Sequence, residues 1–200
     1  MDKVTVILTP TRENIKVVAK AMKEGAIVIY PSESSYGIGC DFTNKEAVEH
    51  IYEIKKRQKN KPMICIVPDL ETAKKYGKVN EVAELLVNKF MPGPLTLAVP
   101  GKGKLEWFNF RISENNVARL LASEVGNPIV STSANITGDE PIYDSEELEQ
   151  FSGKVDAILD AGNLPHRLPS TVVMVQDKKV RVLREGAVPK SKIKAALEVK

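Results

Sequence analysis

Five stretches of this sequence break its apolar rhythm and gather side chains suited to holding anions or small polar molecules. The first, Pro31-Ser32-Glu33-Ser34-Ser35-Tyr36-Gly37-Ile38-Gly39, follows the apolar run Ala26–Tyr30. Small hydroxyl residues and glycines let the backbone approach a ligand closely. Ligands of open α/β sheets gather at the carboxyl ends of strands. The stretch is neither a GxGxxG fingerprint nor a P-loop, so on spacing alone a plain Ser/Gly turn reads as well. The second, 55–61, carries five cations: Lys55, Lys56, Arg57, Lys59 and Lys61. Cations at a helix C-terminus are favourable in themselves. Lys55, however, continues the stripe of Val48 and Tyr52, so it belongs to a buried face, where a lysine snorkels or turns into a cleft. A lysine point charge beside an arginine fork suits phosphate.

The third stretch, Met91-Pro92-Gly93-Pro94-Leu95-Thr96, is explained as a helix stop and a rigid turn that aims the next strand. The fourth, 131–138, places Ser131, Thr132, Ser133 and Thr137 around the amide of Asn135 and closes on Gly138. Hydroxyls and backbone N–H groups at a strand end form an anion nest, although they also cap ordinary turns. The fifth is a pair, Pro169-Ser170-Thr171 and Leu183-Arg184-Glu185-Gly186, flanking two β-rich runs. A hairpin between those runs brings Ser170 and Arg184 to one end of the sheet. Arg111 ends the strand-like run Phe108–Ile112 and is expected near a rim. Arg119 is expected on a solvated helix face. Trp107 and Phe108 fit core packing better than base stacking.

The elements that must position these groups follow from periodicity. Helical spacing covers Thr11–Glu24, Lys45–Lys55, Val79–Phe90, Asn115–Val125 and Ser191–Leu197. Gly25 and Gly126 stand just past two of these segments, where helices commonly close. Strands are expected at Val4–Leu8, Ala26–Tyr30 (stopped by Pro31), Met63–Val67, Leu95–Val99, Phe108–Ile112, Ile129–Ser131, Val155–Leu159, Thr171–Val175 and Val180–Leu183. The last two are joined by a turn at 176–179. Alternating strands and helices predict a layered α/β domain, and the terminal hairpin makes its sheet mixed.

Composition bounds the rest. Two hundred residues, 42% apolar and 28% charged, suit one globular domain over 1–200. The isolated cysteines Cys40 and Cys65 are no disulfide framework and read as buried small hydrophobes. Two histidines assemble no zinc site of familiar spacing. A metal would arrive with a phosphate ligand, held by oxygens and water. The apolar run at 4–8 is too short for a signal-peptide core or a membrane span, which predicts a cytoplasmic protein. The net charge of +3 neither demands nor excludes nucleic acid, since clustering decides that.

Taken in order, PSESSYGI, KKR, PGPLT, STSANITG, PST and LREG resemble the motifs of the YrdC-like family across residues 31–186. The resemblance implies a single-domain, twisted, open mixed sheet with helices packed on it and a basic concave face. It implies a nucleotidyltransferase, an L-threonylcarbamoyladenylate synthase. Such an enzyme makes threonylcarbamoyl-AMP and pyrophosphate from L-threonine, bicarbonate and ATP with Mg2+, for the t6A modification of tRNA. It places Lys55, Arg57, Lys61, Ser133, Asn135 and Arg184 around the nucleotide, with Lys55 and Arg57 catalytic. It places Ser34, Arg111, Ser131 and Ser170 around threonine, with Arg111 on the carboxylate. No protein-held metal is implied. A downstream threonylcarbamoyl transferase is implied as partner, and tRNA or double-stranded RNA is a further one. The chain stops where longer relatives carry a C-terminal domain. It departs from the family pattern at Gln58, Lys61, Ile66, Trp107 and Pro141. An RNA-binding module on the same basic face, or adenylation of a different substrate, are the alternative readings.

Overall fold

The computed structural model describes residues 4–59, 62–177 and 179–198. Ten strands form one sheet in the order β1-β8-β2-β3-β7-β4-β6-β5-β9-β10. In chain order they are β1 Val6–Leu8, β2 Val28–Pro31, β3 Tyr36–Gly39, β4 Ile64–Ile66, β5 Leu95–Pro100, β6 Trp107–Arg111, β7 Ile129–Ser133, β8 Ala157–Leu159, β9 Thr171–Gln176 and β10 Lys179–Arg184. The helices are α1 Arg12–Lys23, α2 Lys45–Ile54, α3 Leu70–Tyr76, α4 Glu81–Phe90, α5 Asn116–Val125 and α6 Lys190–Glu198. The sheet is mixed as expected: β8 runs parallel to both β1 and β2, whereas β3 runs antiparallel to β2 and β7.

Side-chain alternation sorts the core. On β2, Val28 and Tyr30 pack with Ile15, Val18 and Met22 of α1 and Leu121 of α5. Ile29 and the preceding Ile27 join Ala47 and Ile51 of α2 on the other face. A third cluster packs Leu86 of α4 and Ile193 of α6 against Leu97, Phe110 and Val173. Phe108 is buried in that cluster, as its apolar setting predicts.

Helix starts follow their caps. Thr11 Oγ1 accepts from Asn14 N at 3.2 Å, Asn80 Oδ1 from Ala83 N at 2.9 Å, and Asn115 Oδ1 from Val117 N at 2.9 Å. Three elements were not expected, a 3-10 helix at Ser145–Phe151 among them. Helix α3 is set off by Asp69, whose carboxylate accepts from Thr72 N at 2.7 Å. Strand β3 lies inside the stretch read as a ligand loop. Pro31 closes β2 as its last residue, paired with Tyr36, and a tight turn follows at Ser32–Ser35. A Cβ on Gly39 would lie 1.9 Å from the Val130 carbonyl, so only glycine allows this close approach to β7.

The hairpin β9–β10 forms with a register shift between Val182 and Arg184. Its strands run to Gln176 and from Lys179, and residue 178 of the expected turn lies outside the described residues. Among the described residues, no helix is long and apolar enough to cross a membrane.

Candidate active site

The turns after β2, β7 and before β9 converge on a cleft of about 430 Å3. Its wall is built from hydroxyls and guanidinium groups. Ser32, Ser34 and Ser35 come from the first turn, Ser131, Thr132 and Ser133 from β7, and Ser170 from the residue before β9. Arg57, Arg111, Arg167 and Arg184 face in against one acid, Glu140. Such a wall holds anions and stabilises developing negative charge.

Each arginine is held differently. Arg184 Nη2 donates to the Ser170 carbonyl at 2.8 Å and lies 3.3 Å from Ser170 Oγ, so the hairpin unites these two groups. Ser170 is buried, and its hydroxyl meets Thr96 Oγ1 at 2.9 Å. Strand β5, through Thr96, therefore also steadies a cleft residue. Burial, then repulsion from Arg111, lowers the Arg184 pKa. Arg57 follows the end of α2; its Nη2 reaches the Pro62 carbonyl at 3.3 Å. Arg167 pairs with Glu114 at 3.2 Å on the open side.

Arg111 was expected with its head at a rim; instead the residue is only 6% exposed. Its Nη1 lies 3.1 Å from Glu33 Oε1, and its Nη2 lies 3.4 Å from Ser131 Oγ. The buried Nε–H has no acceptor. Glu33 in turn accepts a hydrogen bond from the Ser113 hydroxyl on Oε2.

Seven of the expected site residues line the cleft: Ser34, Arg57, Arg111, Ser131, Ser133, Ser170 and Arg184. Lys55 and Asn135 stand behind the wall. Lys55 is 2% exposed, and its ammonium donates to Ser133 O at 2.5 Å, Asn135 O at 2.7 Å and Asn135 Oδ1 at 3.0 Å. All three of its protons are committed to the loop after β7. Desolvation, then the Arg57 charge, pulls its pKa down to about 8. Asn135 completes the loop by accepting from Ser133 Oγ at 2.6 Å and donating to Asp139 O at 2.6 Å. Lys61 lies outside the described residues.

Sequence reasoning passed over Arg167, Tyr143, Glu140 and Ser113, and it named Thr132 and Glu33 only as members of their polar stretches, with no role of their own. Arg167 sits three residues before Ser170, a spacing that places a cation beside a known loop. Tyr143 stacks on His166 with ring centroids 3.9 Å apart, a pairing of two loops that no local pattern announces. Arg119, expected to be solvated, is half-buried and donates to the Ser113 carbonyl at 2.7 Å. Trp107 lies opposite Pro100 at the start of β6, away from the cleft wall, and Ile66 is fully buried.

An open mixed sheet whose polar turns enclose a basic, hydroxyl-lined cleft defines an anion-binding α/β domain. The family model Sua5/YciO/YrdC, described as "Telomere recombination", matches residues 20–186, and the chain belongs to that family. A Methanocaldococcus jannaschii protein is 33% identical over 186 residues, which cover 90% of this chain and 88% of that one. An Aliivibrio fischeri protein named threonylcarbamoyl-AMP synthase is 31% identical over 186 residues, covering 87% of this chain and 100% of its own. The crystal structure of Pyrococcus abyssi Sua5 complexed with L-threonine superposes with a TM-score of 0.89 at 27% identity. It covers 99% of this chain, which spans 61% of the Pyrococcus abyssi chain.

Proposed function

We propose that this protein is an L-threonylcarbamoyl-AMP synthase, acting in the cytoplasm on L-threonine, bicarbonate and MgATP. The observation that carries this reading is the cleft wall itself: its guanidinium groups and hydroxyls suit a carboxylate, a hydroxyl and a polyphosphate. Arg111 presents a buried, unused N–H beside Ser131, a fit for a carboxylate next to a hydroxyl. Arg57 and Arg184 line the same space and suit a polyphosphate. Relatives that carry the synthase name cover most of the chain, which supports the same assignment.

The chemistry needs no covalent enzyme intermediate. The threonine amine and bicarbonate give an N-carboxylate and water. A carboxylate oxygen attacks the α-phosphorus in line, the bond to the β-phosphate breaks, and pyrophosphate leaves. Catalysis then rests on positioning and charge stabilisation. In this reading Arg57 and Arg184 neutralise the phosphates, and Ser133 lines their approach. Arg111 holds the threonine carboxylate, with Ser34, Ser131 and Ser170 around the amino acid. Lys55 acts one step back, by fixing the loop that carries Ser133 and Asn135. Mg2+ enters with the nucleotide. The product is a reactive mixed anhydride, so a transferase that delivers the threonylcarbamoyl group to tRNA must follow.

Pyrophosphate release from ATP and bicarbonate should depend on L-threonine and fall at least about tenfold with L-valine, which lacks the hydroxyl. Arg57→Ala should weaken ATP binding by about ten- to a hundredfold and Arg111→Ala should do the same for threonine, each sparing the other ligand. Equal release with all amino acids, or none with any despite ATP binding, would move the assignment to another substrate on the same fold.

A further inference from the structure

We propose that Glu33 is a positioning residue: together with Ser113 it fixes the Arg111 guanidinium so that the unused N–H edge meets the carboxylate of the amino-acid substrate. The identity of that carboxylate rests on the synthase reading; the orientation of Arg111 does not.

Glu33 sits in the turn between β2 and β3, whereas Arg111 ends β6. Three strands, β3, β7 and β4, stand between β2 and β6 in the sheet. The Glu33–Arg111 contact therefore links segments that the sheet's own hydrogen bonds do not join. Both side chains are more than nine-tenths buried. A buried ion pair gains little stability over apolar packing, so stability alone is a poor reason for this one. Its geometry offers a better reason.

A guanidinium is planar and rigid, so fixing one edge fixes the direction of the others. Glu33 Oε1 lies 3.1 Å from Nη1 and Ser131 Oγ lies 3.4 Å from Nη2. The Nε–H is left buried without an acceptor, and Glu33 Oε1 has no hydrogen-bond partner either, so the acid holds the guanidinium by charge at 3.1 Å and not by an aligned hydrogen bond. Native structures rarely leave such a donor unpaired, and a ligand atom is one way to complete it. Arg111 lines the cleft, whereas Glu33 does not. The acid thus works from behind, compensating the buried charge before substrate arrives.

Glu33 is itself held. Its Oε2 accepts a hydrogen bond from the Ser113 hydroxyl, whose oxygen also accepts from Asn115 N at 3.1 Å. Asn115 is the N-cap of α5, and Arg119 of that helix donates to the Ser113 carbonyl at 2.7 Å. The chain of contacts anchors the substrate-facing arginine to a helix start.

The test compares wild type with Glu33→Ala, Glu33→Gln and Ser113→Ala. Calorimetry gives the affinities for L-threonine and for ATP, and pyrophosphate release gives kcat and KM. The Arg111 Nε–Hε resonance, assigned in 15N-labelled protein, reports the guanidinium directly. Glu33→Ala should raise the threonine KM about tenfold or more while ATP affinity stays within about twofold. Glu33→Gln keeps the shape and one acceptor but not the charge, and should recover only part of that loss. Ser113→Ala should shift threonine in the same direction by less, and it keeps the test open if Glu33→Ala fails to fold. The Arg111 resonance should move or broaden in Ser113→Ala and in any folded Glu33→Ala. Threonine and ATP affinities falling together would mark a merely structural role and overturn the proposal. An unmoved Arg111 resonance would overturn it whatever the substrate. If the wild type shows no threonine-dependent turnover, the synthase reading fails, and the resonance still decides whether Glu33 orients Arg111.

Discussion

Lys55 illustrates how far a single residue can be read. Its place on the buried stripe of α2 follows from helical spacing, and burial is what the structure has. Its acceptors lie 78 and 80 residues further along the chain, so no local pattern separates a lysine in a cleft from one beneath a loop. Lys55→Met should destabilise the protein by about 2–3 kcal/mol at pH 7, because three loop oxygens lose their donor. The folded-state pKa is about 8, below the ordinary 10.5. Between those values the unfolded chain binds more protons, so this group's contribution to stability rises with pH there. Below about 8 the cost of holding a buried charge is present in full. The stability gap between wild type and Lys55→Met should thus widen from pH 8 to pH 10, by about 1 kcal/mol per unit at most. Urea titrations at several pH values measure it, and a gap independent of pH would contradict the account. The arginines were easier to read. Arg57 and Arg184 sit in polar stretches at the ends of periodic elements, Arg111 closes the apolar strand β6, and all three line the cleft. Glu33 and Ser113 were silent, since an acid and a serine in turns are commonplace until their partner is known.

Among elements, the amphipathic ones were legible and the glycine-bearing one was not. Helices α1, α2, α4 and α5 carry apolar stripes and caps that place them within a residue or two. The β9–β10 hairpin was legible from two β-branched runs around a short polar turn. Helix α3 is too short for its periodicity to stand out, and it depends on the Asp69 cap. Strand β3 has the sequence YGIG, and glycine lowers strand propensity wherever it occurs. What makes it a strand is its position between β2 and β7, a tertiary cause. Gly39→Ala tests this at the scale of the strand pair. The new methyl would press on the Val130 carbonyl, at 1.9 Å, and on Tyr30, whose hydroxyl donates to that same carbonyl at 2.8 Å. The backbones must separate, at a cost of about 2–4 kcal/mol. Chemical denaturation should show a lowered midpoint, with hydrogen-exchange protection lost first along β3 and β7. Unchanged protection there would mean that the strands part without consequence.

At the scale of the whole molecule, charge placement matters more than its sum. The chain's net charge of +3 is unremarkable, yet the cleft wall sets four arginines against one glutamate. That concentration arises because the sheet order brings residue 57, residue 111, residue 167 and residue 184 to one end, although they are far apart in sequence. Clustering of this kind focuses potential where low-dielectric walls limit screening. A polyphosphate entering the open side should feel it across several ångströms, within a Debye length of about 8 Å at physiological salt. Threonine is a zwitterion without net charge, and its proposed partner Arg111 is buried and already compensated by Glu33. The two substrates should therefore differ in their response to salt. Raising KCl from 0.05 to 0.5 M should weaken ATP binding several-fold, roughly tenfold at most, and leave threonine binding within about twofold. Calorimetric titrations across that range give both slopes. An ATP affinity that ignores salt would mean that the arginines are held by protein acids and do not meet phosphate. A threonine affinity as salt-sensitive as that of ATP would place the amino acid among the exposed arginines, and not against Arg111.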